Sequence, residues 1–110
     1  MMVAIRDICE LSERIAREFQ PDKIVLFGSY AGGRPGEDSD VDLLVVMGYK
    51  GRSVDKATEI RQRLEPRFPL DLLVRSPQEI SQRLAWHDWF LMDIFEKGKV
   101  LYESAHPGMD

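Results

Sequence analysis

The chain has one cysteine, two histidines and no long apolar run among its 110 residues. A lone Cys9 cannot build a disulfide scaffold. Neither His87 nor His106 has cysteine, histidine or acidic neighbours at zinc-site spacing. Ser12, Ser53, Ser76 and Ser81 have no histidine nearby in sequence, so nothing supports a serine nucleophile. The longest aliphatic run, Leu43 to Met47, is five residues, far below the roughly 20 that span a bilayer. Arg6, Asp7 and Glu10 occupy the stretch that a signal peptide would keep apolar. An excess of positive charge is also missing. The 15 Lys+Arg against 19 Asp+Glu give a net charge of −4, which offers no general reason for direct nucleic-acid binding. These absences lead to the expectation of a reduced, cytoplasmic protein without membrane association. The length suits a single domain over residues 1–110. With 44% hydrophobic and 31% charged residues, the composition is that of an ordinary globular chain.

Apolar spacing divides the chain into alternating helices and strands. Ile5, Ile8, Cys9, Ser12, Ile15, Ala16 and Phe19 recur at intervals of three and four. Arg14, Arg17 and Glu18 take the other side, so residues 3–19 read as an amphipathic helix with Cys9 as packing. Lys23 to Phe27 is apolar on both faces, as a buried strand would be. Gly28 stops it, and Ser29 to Gly33 has room only for a short helical turn before Arg34-Pro35-Gly36 forces a loop. Val41 to Met47 is a second, nearly continuous apolar strand. Val54, Ala57, Ile60 and Leu64 mark a charged helix ending near Pro66. Leu70 to Val74 reads as a third buried strand. Ser76-Pro77 opens another helix, with Ser76 as N-cap and Glu79 completing a capping box. A further helix is predicted from about Ala85 to Glu96, with His87 as an ordinary helix residue. Gly98 ends it, and Val100 to Tyr102 adds a short terminal strand. The fold class is therefore α/β (α+β), a small mixed β-sheet of three to four strands flanked by helices.

Charge is uneven along the chain. Lys50, Arg52, Lys56, Arg61, Arg63, Arg67, Arg75 and Arg83 lie in one stretch with Asp55, Glu59, Glu65, Asp71 and Glu79. It reads either as a solvated helix face with interspersed ion pairs or as a patch for phosphates or an acidic partner.

Chemistry concentrates in Leu26 to Val46, LFGSYAGGRPGEDSDVDLLVV. Asp40 and Asp42 open an otherwise hydrophobic strand. Strand period two puts both carboxylates on one face, about 6.5 Å apart from a rise of roughly 3.3 Å per residue. Such a pair repels itself unless a divalent cation lies between, and Mg²⁺ takes one or two protein carboxylates together with phosphate oxygens. Taken alone, Asp-x-Asp before a strand is commonly structural. Gly28-Ser29, which precedes it, adds a turn whose backbone N–H groups and Ser29 hydroxyl suit phosphate oxygens. A plain helix N-cap is the simpler role for Ser29 alone. Asp71 is the one charged residue in Leu70 to Val74. It calls either for a cation such as Arg67 or Arg75 or for a place beside Asp40 and Asp42 across neighbouring strands. In the second arrangement three carboxylates could hold two metal ions for an in-line displacement.

Gly28-Ser29, then Asp40-Val41-Asp42, then Asp71 on a later strand resembles the nucleotidyltransferase superfamily typified by DNA polymerase beta. The wording LFGSYA…SDVDLLV and the size resemble its smallest branch, the minimal nucleotidyltransferases. The resemblance covers about residues 20–76. It implies the polymerase beta-like fold, with Gly28 and Ser29 on the β- and γ-phosphates of a nucleoside triphosphate such as ATP. Asp40 and Asp42 would bind Mg²⁺, two ions in all, and Asp71 would be the third carboxylate, drawing the proton from the acceptor hydroxyl. One departure stands out. The branch commonly reads Gly-Ser-x-Ala-Arg-Gly, and Gly32 stands where that Arg would be, leaving Arg34 as the nearby cation for the phosphates.

The same resemblance implies a toxin–antitoxin pair in which this chain adenylylates a tyrosine of a HEPN-domain toxin. The segment Leu84 to Phe95 is apolar nearly all round. Its Trp86, Trp89, Phe90 and Met92 exceed what so small a core covers, which predicts a partner surface on an aromatic 84–95 helix. Two other readings stay open: an antitoxin that neutralises its partner by contact alone, and a nucleotidyltransferase acting on a small-molecule alcohol. A homo-oligomer is a further possibility.

Overall fold

The structure, a computed structural model, describes residues 2–105. Helix α1 (Ile5–Phe19) leads into strand β1 (Lys23–Phe27) and a single 3₁₀ turn over Gly28–Tyr30. Strand β2 (Val41–Val46), helix α2 (Ser53–Leu64) and strand β3 (Leu70–Arg75) follow. Helices α3 (Pro77–Ala85) and α4 (Trp89–Lys97) and strand β4 (Lys99–Glu103) complete the order. The four strands form one sheet in the order β3-β2-β1-β4. β1 is antiparallel to both β2 and β4, whereas β2 and β3 run parallel, so the sheet is mixed as the sequence predicts. A parallel pair needs a crossover, and α2 supplies it.

Alternate residues of each strand feed two cores. Ile24, Leu26, Val41, Leu43, Val45, Leu72 and Val74 pack with Ile8, Leu11 and Ile15 of α1 and Ile60 and Leu64 of α2. Val25, Leu44 and Val46 meet Ile80 of α3 and Leu91 and Ile94 of α4 on the opposite face. Each fully buried aliphatic side chain contributes about 1.5–3 kcal/mol. β2 is the central contributor, since all its residues except Asp42 are buried. Tyr30 anchors the 3₁₀ turn to the first core, its hydroxyl accepting the Val3 N–H at 3.0 Å.

Three details differ from the sequence-based expectation. β3 is an edge strand with alternating burial, so it is not a fully buried strand, and Asp71 is exposed. The helix predicted over 85–96 begins only at Trp89, so the aromatic 84–95 segment is a corner between two helices. His87 lies in that corner with φ +59°, not in a helix. The break is local chemistry: the Asp88 carboxylate caps α4 by accepting the Leu91 N–H at 3.1 Å, and Arg83 pairs with Asp88 at 3.5 Å. The predicted capping box at α3 is present in full, with Ser76 and Glu79 bonding each other's backbone N–H.

The basic stretch takes its solvated form. Arg52–Asp55, Lys56–Glu59 and Arg63–Glu18 are ion pairs at the surface. No helix among the described residues is long and apolar enough to cross a membrane. His106 lies outside the described residues.

Candidate active site

Register places the key side chains in one row. Phe27 of β1 is the partner of Asp42 in β2, and Asp42 is the partner of Asp71 in β3. All three share the sheet face that carries Val25, Leu44 and α4. Asp71 therefore stands beside Asp42, and no ion pair joins it to Arg67 or Arg75 among the described residues. Arg75 instead donates to Ser53 Oγ and the Val74 carbonyl.

Asp40 lies just before β2 and not within it, and it is exposed. Its position is set from both sides. Ser39 Oγ accepts the Gly36 N–H at 2.8 Å, and the Val41 N–H donates to the Pro69 carbonyl at 3.0 Å. Burial, then the charges of Asp71 and Asp40, and a hydrogen bond shared with Asp71 push the Asp42 carboxyl up to about 6. Two carboxylates this close repel each other when both are charged. The three acidic groups thus form an electrostatically frustrated cluster that an added positive charge relieves.

Gly28 lies at the centre of this arrangement. Its φ is +74°, and a methyl group there would overlap the Asp42 carboxylate. Only glycine lets the turn after β1 pass so close to that carboxylate. Ser29 follows it and is half-buried. The residue in the N-cap position of the 3₁₀ turn is Phe27, with no side-chain cap, so Ser29 is not the helix cap that the simpler reading assigned. Its carbonyl accepts the Arg34 N–H at 3.2 Å, which holds Arg34 near the turn while its side chain is exposed.

Among the described residues no three His, Cys, Asp or Glu side chains already form a cation cage. The donor chemistry nevertheless fits Mg²⁺. All three groups are hard carboxylate oxygens, two of them held at register distance and facing each other as like charges. Lys97 and Asp93 of α4 are residues that the motif reading missed. They line a cleft of about 250 Å³ together with Phe27, Gly28 and Gly32. Larger hollows of about 270, 390 and 470 Å³ lie elsewhere, and neither they nor this cleft are lined by Asp40, Asp42 or Asp71. Size alone does not locate the chemistry here. Beside the row, Phe90 of α4 meets Phe27 edge to face, with ring centroids 5.8 Å apart.

The nucleotidyltransferase domain family matches residues 8–102. A candidate protein adenylyltransferase of Methanocaldococcus jannaschii is 33% identical over 81 residues, covering 73% of this chain and 77% of the relative. A candidate nucleotidyltransferase structure from Sulfolobus solfataricus superposes with a TM-score of 0.64 at 21% identity. That match covers 93% of this chain and 82% of the other. A toxin–antitoxin structure with AMP-PNP gives a TM-score of 0.55 at 20% identity, over 88% of this chain and 74% of that one. A variant of the toxin–antitoxin MntA-HpeT gives 0.53 at 19%, over 94% and 76%. At these identities the structural matches establish the fold. The family acts on nucleotides, usually with a divalent metal, which is the chemistry that a glycine turn beside clustered carboxylates favours. The chain belongs to the nucleotidyltransferase domain family and is a nucleotidyltransferase enzyme.

Proposed function

We propose that this enzyme is a Mg²⁺-dependent protein adenylyltransferase that moves AMP from ATP to a tyrosine hydroxyl of a HEPN-class toxin, and so acts as its antitoxin. The observation that carries this reading is the Asp42–Asp71 register pair beside Gly28. The adenylyltransferase description of the Methanocaldococcus jannaschii relative supports the acceptor class, and the toxin–antitoxin structures share the fold. Gly28 and Ser29 hold the β- and γ-phosphates, with Arg34 as an outlying cation. Asp40, Asp42 and Asp71 are the groups that would hold Mg²⁺. The chemistry supplied by Mg²⁺ bound there would be neutralisation of phosphate charge and stabilisation of the pyrophosphate leaving group. Asp71, exposed at the sheet edge, takes the proton of the acceptor hydroxyl as its oxygen attacks the α-phosphorus. The new O–P bond forms as the bond to the bridging oxygen of pyrophosphate breaks, and pyrophosphate departs. Positioning and charge stabilisation carry such a transfer.

The partner surface in this reading is the α3–α4 corner. Trp86 is 70% exposed and Trp89 is 85% exposed, and Phe90 links the corner to the catalytic row through Phe27. A protein docked there would lie on the side of the row that Phe90 covers. Parallel reactions with α-³²P-ATP and γ-³²P-ATP, Mg²⁺ and a HEPN partner test the reading. The Asp40→Asn/Asp42→Asn double variant serves as control. Label should reach the partner from the α position alone, and only with intact carboxylates. A tight complex with no transfer of either label would replace this reading with neutralisation by contact.

A further inference from the structure

The cleft beside the glycine turn has a feature that the sequence motif does not contain. Phe27, Gly28 and Gly32 form one wall, and Asp93, Lys97 and Gly98 belong to the facing end of α4. Lys97 is the single cation among the described residues that line it. In this structure its Nζ pairs with Asp93 Oδ1 at 3.1 Å, one helical turn back. Both side chains are largely exposed, so the pair is weakly held and easily exchanged for a stronger partner.

The position of Lys97 is far less free than its side chain. Gly98 follows it, and a methyl group on Gly98 would run into the Ile94 carbonyl, the Val25 side chain and the Leu26 carbonyl. The end of α4 is thereby pressed against β1, two residues from Gly28. Lys97, one residue before Gly98, thus belongs to the same cleft as Gly28. Charge gives the second part of the argument. Asp93 lines the cleft, the Asp42 carboxylate lies against Gly28, and Asp40 and Asp71 act on Asp42 as like charges, so a polyphosphate approaching the glycine turn meets repulsion. Gly32, on the opposite wall, has no side chain with which to offset it.

We propose that Lys97 is a phosphate-binding residue, and that on nucleotide entry its ammonium leaves Asp93 for the polyphosphate seated on the Gly28 turn. This inference rests on the nucleotidyltransferase reading of the site and adds a specificity determinant to it, favouring polyphosphates over nucleoside monophosphates. The ammonium supplies a point charge with rotatable donors on a flexible stem, which suits exchange between a carboxylate and a phosphate.

Titration calorimetry of the full chain with ATP and with AMP, each in Mg²⁺ and in EDTA, tests it. Lys97→Ala should weaken ATP binding about tenfold or more, as loss of a charge-assisted hydrogen bond does, and leave AMP binding nearly unchanged. Lys97→Arg should retain most of the affinity. Asp93→Asn should tighten ATP, because it removes both the competing partner and a repelling charge. Thermal melts of Lys97→Ala serve as a fold control, and its exposed site should leave them unmoved. Equal ATP affinity in wild type and Lys97→Ala, or equal weakening for ATP and AMP, overturns the proposal and leaves the nucleotidyltransferase reading standing. Absence of any nucleotide binding by the wild type overturns both.

Discussion

At the scale of single residues, Asp42 is a carboxylate whose surroundings oppose its charge. Its folded carboxyl titrates near 6 against an ordinary value of 3.8. The folded state thus holds this proton more tightly than the unfolded chain does. The associated stability is complete below about pH 4 and is lost as pH rises through 6. Asp42→Asn should therefore melt higher than wild type in EDTA at pH 8, with the difference shrinking toward pH 4. Added Mg²⁺ should raise the wild-type melting temperature and leave the variant's unmoved. Two glycines give a second contrast. Gly28→Ala combines a left-handed φ, which costs about 1–2 kcal/mol for a residue with a Cβ, with displacement of the Asp42 carboxylate. It should reduce transfer by about a hundredfold, the scale of a small misplacement at a reacting centre. Gly32 has its nearest neighbour, the Ser29 carbonyl, 3.7 Å from where a Cβ would lie. Gly32→Ala should fold normally and gain about 0.4–1 kcal/mol in a denaturant melt. The spacing of Gly28, Asp40 and Asp42 was legible because chemistry and local geometry coincide there. Lys97 was not, because a lysine before a helix-ending glycine also satisfies the helix dipole, and nothing local distinguishes the two roles.

At the scale of elements, the strongest sequence signals were the ones the structure kept. The apolar period of α1, the β-branched run of β1 and the Ser76–Glu79 capping box all appear where their residue types require. Glu79 also accepts from the Tyr49 hydroxyl, a long-range bond invisible in the local pattern. Its bond from the Ser76 backbone, then that from Tyr49, hold its carboxyl below the ordinary 4.5. That stability is present above pH 4.5 and is lost as pH falls through the lowered value. Glu79→Ala should cost about 1–2 kcal/mol in a urea melt at pH 7, the range of a lost cap and side-chain bond. Glu79→Gln should keep most of the stability and flatten its acid limb. Two element-level features were illegible. The Leu84 to Phe95 run contains no glycine or proline, so the break at Trp86–Asp88 is made by the left-handed His87, the Asp88 N–H bond to the Arg83 carbonyl and the Asp88 cap of α4. The exposure of Asp71 depends on β3 being an edge, and strand order is a property of pairings that no single segment records.

At the scale of the whole molecule, the two faces of the sheet have different work. The α1–α2 side is closed by the larger core. The α3–α4 side has the smaller core, its Phe90 meets Phe27 of the row, and Trp86 and Trp89 of the same corner are exposed. Trp86→Ala and Trp89→Ala should change stability by less than about 0.5 kcal/mol, as surface substitutions do. In calorimetric titrations with the partner, the more central of the two should cost about 2 kcal/mol or more, a loss typical of an interfacial tryptophan anchor. The parallel pairing of β2 with β3 has one more consequence, in time. The β1–β2 neighbours join through one loop, but Asp71 reaches Asp42 only after α2 has crossed the sheet, and this is the longer-range of the two pairings in the row. Contacts of high sequence separation carry a large entropic cost and slow folding. A nascent chain halted at β2 would already carry Gly28, Asp40 and Asp42 but not the strand that sets Asp71 beside them, so under the proposed reading the carboxylate row is complete only once β3 has paired.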